Sequence, residues 1–118
     1  MTSRWLTLIA GALLLSLGAA ASAHSLLLDS SPAAGAVVAP PARVSLRFNN
    51  RIEKRLSRIR LVDPRGEARV LATLPDGPSE QLEAEAPTLG PGAYRLEWSV
   101  LSTDGHLVSG AFPFRIRP

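Results

Sequence analysis

Tyr94-Arg95-Leu96-Glu97-Trp98-Ser99-Val100 alternates apolar and polar side chains without a break. A period of two is the spacing of a β-strand, which points successive side chains to opposite faces. Tyr94, Leu96, Trp98 and Val100 therefore share one face, expected to be buried, and Trp98 reads as a core residue. The same pattern recurs in both directions along the chain. Val44, Leu46 and Phe48 alternate with Arg43, Ser45 and Arg47, and Ile59 and Leu61 alternate with Arg58, Arg60 and Val62. Near the C-terminus Phe112, Phe114 and Ile116 fall on one face, and Val70–Leu74 and Gln81–Ala86 are weaker strand candidates. Turn signals separate these runs, among them Asp63-Pro64-Arg65-Gly66, Pro75-Asp76-Gly77-Pro78 and Gly90-Pro91-Gly92. Ten prolines and nine glycines leave room for no more than a short helical turn, over Arg51–Ser57. Short strands with one apolar face each must pack as two sheets, which predicts an all-β, seven-stranded Greek-key β-sandwich. Leu89-Gly90-Pro91-Gly92-Ala93-Tyr94 further reads as a tyrosine corner, with the Tyr94 hydroxyl tied back to the preceding loop.

The N-terminal segment has a different logic. Arg4 precedes an uncharged apolar run, Trp5–Leu17, and Ala21-Ser22-Ala23 is an A-x-A cleavage signal. The run is 13 residues long, whereas a membrane-spanning helix needs about 20. Residues 1–23 are therefore expected to be a secretory signal peptide cleaved after Ala23, leaving one 95-residue domain, 24–118, in the periplasm. The chain has no cysteine, so its stability must come from packing even in a compartment that permits disulfides. Its one methionine, Met1, leaves with the leader, so a metal site can use only nitrogen and oxygen ligands. After cleavage 12 basic residues face 10 acidic ones, and seven of the 12 lie between Arg43 and Arg60. A nucleic-acid surface would interleave aromatics with those charges, and this stretch offers only Phe48. Solvated strand faces and a basic loop account for the run, and no nucleic-acid partner is expected.

Two histidines remain, His24 and His106. Cleavage after Ala23 makes His24 the first residue, offering its α-amine and its ring Nδ1 to one metal in a six-membered chelate. The amine must lose a proton from a starting pKa of about 7.7–8.0, within reach of a strongly Lewis-acidic cation. His106 closes Ser102-Thr103-Asp104-Gly105-His106, a turn between two strands, where Asp-x-His can aim a carboxylate and an imidazole at one point. Three nitrogens and one oxygen favour Cu(II), with zinc as the fallback and Cu(I) disfavoured for want of a soft ligand. Each residue alone has an ordinary explanation: a residue acceptable to signal peptidase, a hairpin Asp-Gly, a surface histidine. A shared site also requires the fold to bring residues 24 and 106 together.

The start of the exported chain, His24-Ser25-Leu26-Leu27-Leu28-Asp29-Ser30-Ser31-Pro32-Ala33-Ala34-Gly35, resembles the opening of CopC-type copper-resistance proteins. Val44-Ser45-Leu46-Arg47-Phe48-Asn49 is similar to that family's second strand. Gly92 through Gly110 resembles its signature, G-x-Y-x-V-x-W-x-V-x-S-x-D-x-H-x-x-x-G, which is the most specific part of a likeness spanning the whole exported chain. The resemblance implies an immunoglobulin/cupredoxin-like sandwich that binds one Cu(II) per chain through His24, amine included, Asp104 and His106. It also implies a CopD-like inner-membrane copper transporter as partner, with the chain itself monomeric. Two departures bear on this. The methionine-rich Cu(I) site of some members is missing, and Asn49-Asn50 stands where some carry a glutamate after the second-strand phenylalanine.

The expected function is a non-enzymatic periplasmic Cu(II)-binding protein that buffers copper or delivers it to a transporter, in copper resistance or homeostasis. One alternative is a histidine-brace copper monooxygenase, which would need an open axial position and a flat aromatic surface. The other is a metal-free sandwich scaffold, indifferent to changes at His24 and His106.

Overall fold

The structure is a computed structural model that describes residues 26–118. Its strands are β1 (Leu27–Ser31), β2 (Val37–Val38), β3 (Arg43–Phe48), β4 (Arg58–Val62), β5 (Ala68–Val70), β6 (Gln81–Glu85), β7 (Gly92–Leu101) and β8 (Leu107–Ile116). They form a three-stranded sheet in the order β1-β3-β6 and a five-stranded sheet in the order β2-β8-β7-β4-β5. This is the all-β sandwich the periodicity predicts, with chain neighbours repeatedly sent to opposite sheets. It has eight strands where seven are expected. The extra one, β2, is two residues long and pairs in parallel with Arg115–Ile116. Between Gly35 and Pro40-Pro41 it has no room for an alternation to be seen. The weak candidates become β5, shifted toward the N-terminus, and β6, while the expected helical turn shrinks to a 3-10 turn at Lys54–Leu56.

The apolar faces meet between the sheets. Val44, Leu46, Phe48, Ile59, Leu82, Leu96, Val100 and Phe114 are almost wholly buried, and Leu61, Phe112 and Ile116 complete the same core. The arginines of the basic run stand on the opposite, solvated faces. Arg47 bonds Asp29 at 2.6 Å and Arg60 bonds Glu97 at 2.6 Å, as strand-face ion pairs. The tyrosine corner is present: the Tyr94 hydroxyl donates to Gly90 O at 2.8 Å, and its ring stacks on Phe114.

Two features shape the pairing of β8 with its neighbours. Pro113 O accepts from Gly35 N at 2.7 Å, so the proline nitrogen also faces the edge away from β7, where no ladder bond is lost. Trp98 sits opposite Gly110, and a side chain at 110 would overlap its indole ring. The tryptophan is at the rim of the core rather than inside it. It is only partly buried against Phe48 and Phe112, and its buried Nε1 has no hydrogen-bond partner among the described residues.

Candidate metal centre

The β7–β8 hairpin turns at Thr103-Asp104-Gly105-His106, and its tightness follows from local chemistry. Gly105 adopts φ +90°, a backbone region that penalises any side chain. Gly105 N donates to Ser102 O, and Ser102 N donates to His106 O, both at 2.9 Å. Asp104 is folded back into this frame. Its Oδ1 accepts the Ser102 hydroxyl and, at 3.2 Å, the His106 backbone N–H. Its Oδ2 lies 3.1 Å from His106 Nδ1. Carboxylate and imidazole therefore converge as the Asp-x-His spacing suggests, both about half exposed, with side-chain exposures of 43% and 56%.

The bonds to the carboxylate set its charge. The Ser102 hydroxyl, then the His106 ring and backbone N–H, hold the Asp104 carboxyl well below the usual carboxylate range, at about 2. Asp104 is thus an anion at any pH where the protein would meet a metal cation. With the imidazole neutral, the contact to Oδ2 assigns the ring proton to Nδ1 and the lone pair to Nε2. A cation approaching Nε2 would meet an imidazole already oriented and polarised by a carboxylate. One approaching Oδ2 would compete with that contact directly.

Ser102 carries a role that the sequence reading left unassigned. It is 3% exposed, and its hydroxyl lies between Asp104 and the His106 carbonyl, 3.1 Å from the latter. The signal available was its place two residues before the aspartate, since a hydroxyl there can reach back across a tight turn. Asn49 carries another. Its side-chain oxygen accepts from Leu26 N at 2.7 Å and its own N–H donates to Leu26 O at 3.0 Å. Asn49 thus clamps the backbone leading into β1.

The same loop reaches the hairpin. Ile52 bridges Ser102, Arg51 O accepts from Thr103 N at 3.3 Å, and Glu53 N donates to Leu101 O at 2.8 Å. Residues 49–53 therefore join the start of β1 to the Asp104–His106 turn at one end of the sandwich. His24, like the leader 1–23, lies outside the described residues. Asp104 and His106 are brought together, and among the described residues no group of three histidine, cysteine or acidic side chains is assembled.

A two-sheet Greek-key sandwich with a carboxylate–imidazole pair in its last hairpin defines a class of small β-domains with a polar site at one end. The chain belongs to the CopC domain family, which it matches over residues 27–117. It is 30% identical over 121 residues to copper resistance protein C of Pseudomonas syringae pv. tomato, covering 96% of this chain and 94% of that one. It is also 30% identical over 104 residues to copper transport protein CutJ of Bacillus subtilis, a match covering 80% of this chain but 18% of that protein. Its fold superposes on the crystal structure of CopC from Methylosinus trichosporium OB3b with a TM-score of 0.75 and 36% identity, covering 80% of this chain and 95% of that one.

Proposed function

We propose that this chain is a periplasmic Cu(II)-binding protein, exported with loss of residues 1–23, that buffers copper or hands it to an inner-membrane transporter. It is a binding protein and carries out no turnover. One Cu(II) is held per chain by the α-amine and Nδ1 of His24, the Asp104 carboxylate and the His106 imidazole. The observation that carries this reading is the pair of hydrogen bonds between Asn49 and Leu26. Leu26 follows His24 by two residues, and two extended residues span at most about 7 Å. Leu26 is clamped by the loop that also bonds Thr103, which supports a site joining residue 24 to the Asp104–His106 turn. The donor chemistry agrees, because hard oxygen and imidazole nitrogen in a tetragonal set suit Cu(II), and no thiolate or thioether remains to favour Cu(I). Family membership and the relatives named for copper resistance and copper transport support the role. A transporter of the CopD kind as partner, and a monomeric state, belong to the same proposal. The match of this domain to a fraction of a longer protein named for copper transport favours that partner.

The test compares two forms of domain 24–118, one starting at His24 and one with a single extra N-terminal residue. Each is titrated with Cu(II) while Trp98, the one tryptophan after cleavage, reports by fluorescence. Tight one-to-one binding that weakens by orders of magnitude in the extended form is expected. Equal affinity in the two forms would remove the amine from the site, and oxygen-dependent consumption of a reductant would favour the monooxygenase reading.

A further inference from the structure

Six large apolar side chains stand mostly exposed among the described residues, and four of them belong to the end that carries the Asp104–His106 turn. Leu107 opens β8 and pairs with Leu101, the last residue of β7. On the far side of Leu101, its N–H is bonded at 3.1 Å by the hydroxyl of Ser57, the neighbour of Leu56. Leu56 and Leu107 therefore flank the hairpin base about two strand spacings, or 10 Å, apart. Leu26 immediately precedes β1 in the other sheet, and Leu28 lies within β1 at a β-bulge between Leu27 and Asp29, with its side chain outward. The exposures are 57% for Leu26, 52% for Leu28, and 65% for Leu56 and Leu107.

Arg51 and Arg55 are exposed in the loop between these leucines, and among the described residues neither forms an ion pair. The acid within this loop is Glu53, so its formal balance is basic. Lys54 is occupied elsewhere, donating to Asp76 O and Gly77 O.

Three observations indicate what such a rim fits. The aromatic anchors that dominate protein–protein hot spots are absent from it, since Phe48, Tyr94, Trp98, Phe112 and Phe114 all pack toward the core. The leucines protrude singly around a polar turn rather than lining a groove. Two concavities of the surface lie away from it, beside Tyr94 and on the outer face of β4, β7 and β8. A fluid surface conforms to such a convex rim, whereas a folded partner would need a matching relief. Leucines set among unpaired arginines are the composition of a surface that sits at an anionic lipid interface.

We propose that this rim docks the domain on the surface of an anionic bilayer. The four leucines enter the headgroup–acyl boundary, Arg51 and Arg55 meet lipid phosphates, and the Asp104–His106 turn faces the membrane. The choice of membrane rests on the exported reading given above; the lipid binding itself requires no copper.

The test mixes domain 24–118 with vesicles of phosphatidylglycerol and phosphatidylcholine in equal parts, or of phosphatidylcholine alone, and measures co-flotation at low and high salt. Flotation with the anionic vesicles at low salt, and little with the neutral ones, is expected. Arg51→Glu with Arg55→Glu, and separately Leu56→Asp with Leu107→Asp, should each weaken binding about tenfold or more. Unchanged melting and Trp98 fluorescence certify that the variants are folded. Equal partition into both vesicle types, no flotation with either, or indifference to both double variants overturns the proposal. So does capture only by vesicles carrying a copper transporter, which makes the rim a protein-docking surface. Copper titration of the same preparations is read separately. Lipid binding without copper binding would sink the metal-site proposal alone, and the reverse would sink this one alone.

Discussion

The Ser102 hydroxyl holds Oδ1 of Asp104 and so determines where the other carboxylate oxygen points. Replacing it by alanine leaves the proposed donor atoms of Asp104 and His106 in place but removes the bond that orients the carboxylate. Loss of a supporting hydrogen bond of this kind weakens metal binding about 10- to 100-fold. Ser102→Ala is expected to lower Cu(II) affinity by that factor in a competition titration, and Asp104→Asn to lower it further. The depressed Asp104 pKa also has a sign. A carboxyl whose value falls from 3.8 to about 2 on folding stabilises the native state above its unfolded pKa. That contribution is lost as pH falls through about 2. In the metal-free protein, the difference in melting temperature between the parent and Asp104→Asn should therefore be constant near neutrality and shrink below about pH 4.

At the scale of elements, the last hairpin depends on one absent side chain. Gly110 faces the indole of Trp98, and Gly110→Ala forces the ring from its place against Phe48 and Phe112. Overpacking of this kind costs about 1–3 kcal/mol, to be read from urea denaturation, with a change in Trp98 fluorescence in the folded state. Tyr94→Phe tests the corner preceding β7 and should cost about 1 kcal/mol, the typical net worth of one hydrogen bond. These elements also mark how far the sequence could be read. β3, β4, β7 and β8 were legible because each buries a full set of alternating side chains, Val44-Leu46-Phe48 being the plainest. β2 was not, because two residues held by backbone pairing to β8 leave no pattern of their own. Nor was the bulge at Leu28, since nothing in Leu26-Leu27-Leu28 tells which leucine faces out. Trp98 follows the alternation in direction yet reaches only the rim of the core, because depth along a strand leaves no mark on its period. Asp104 and His106 could be paired from their spacing, and Ser102 stands within reach of the same turn, whereas the role of Asn49 depends on which strands become neighbours.

The whole molecule is one core without disulfides, and copper would act on it as a ligand of the native state alone. With free copper about 100 times over Kd, linkage adds about 2.7 kcal/mol to stability. For a domain of this size each kcal/mol raises Tm by about 4–8 °C. A rise of about 10–20 °C is expected by calorimetry for the chain starting at His24, and a much smaller one for the chain with an extra residue. Where that stabilisation acts follows from the position of β1. Among the described strands it borders its sheet and pairs with β3, so its amides should open by fraying more readily than those of β3, which has a strand on either side. A cation tying the residues before β1 to the opposite sheet would work as a clasp between the two layers. Amide hydrogen exchange should then slow in Leu27–Ser31 far more than in β6, making the tempo of one outer strand a direct record of copper occupancy.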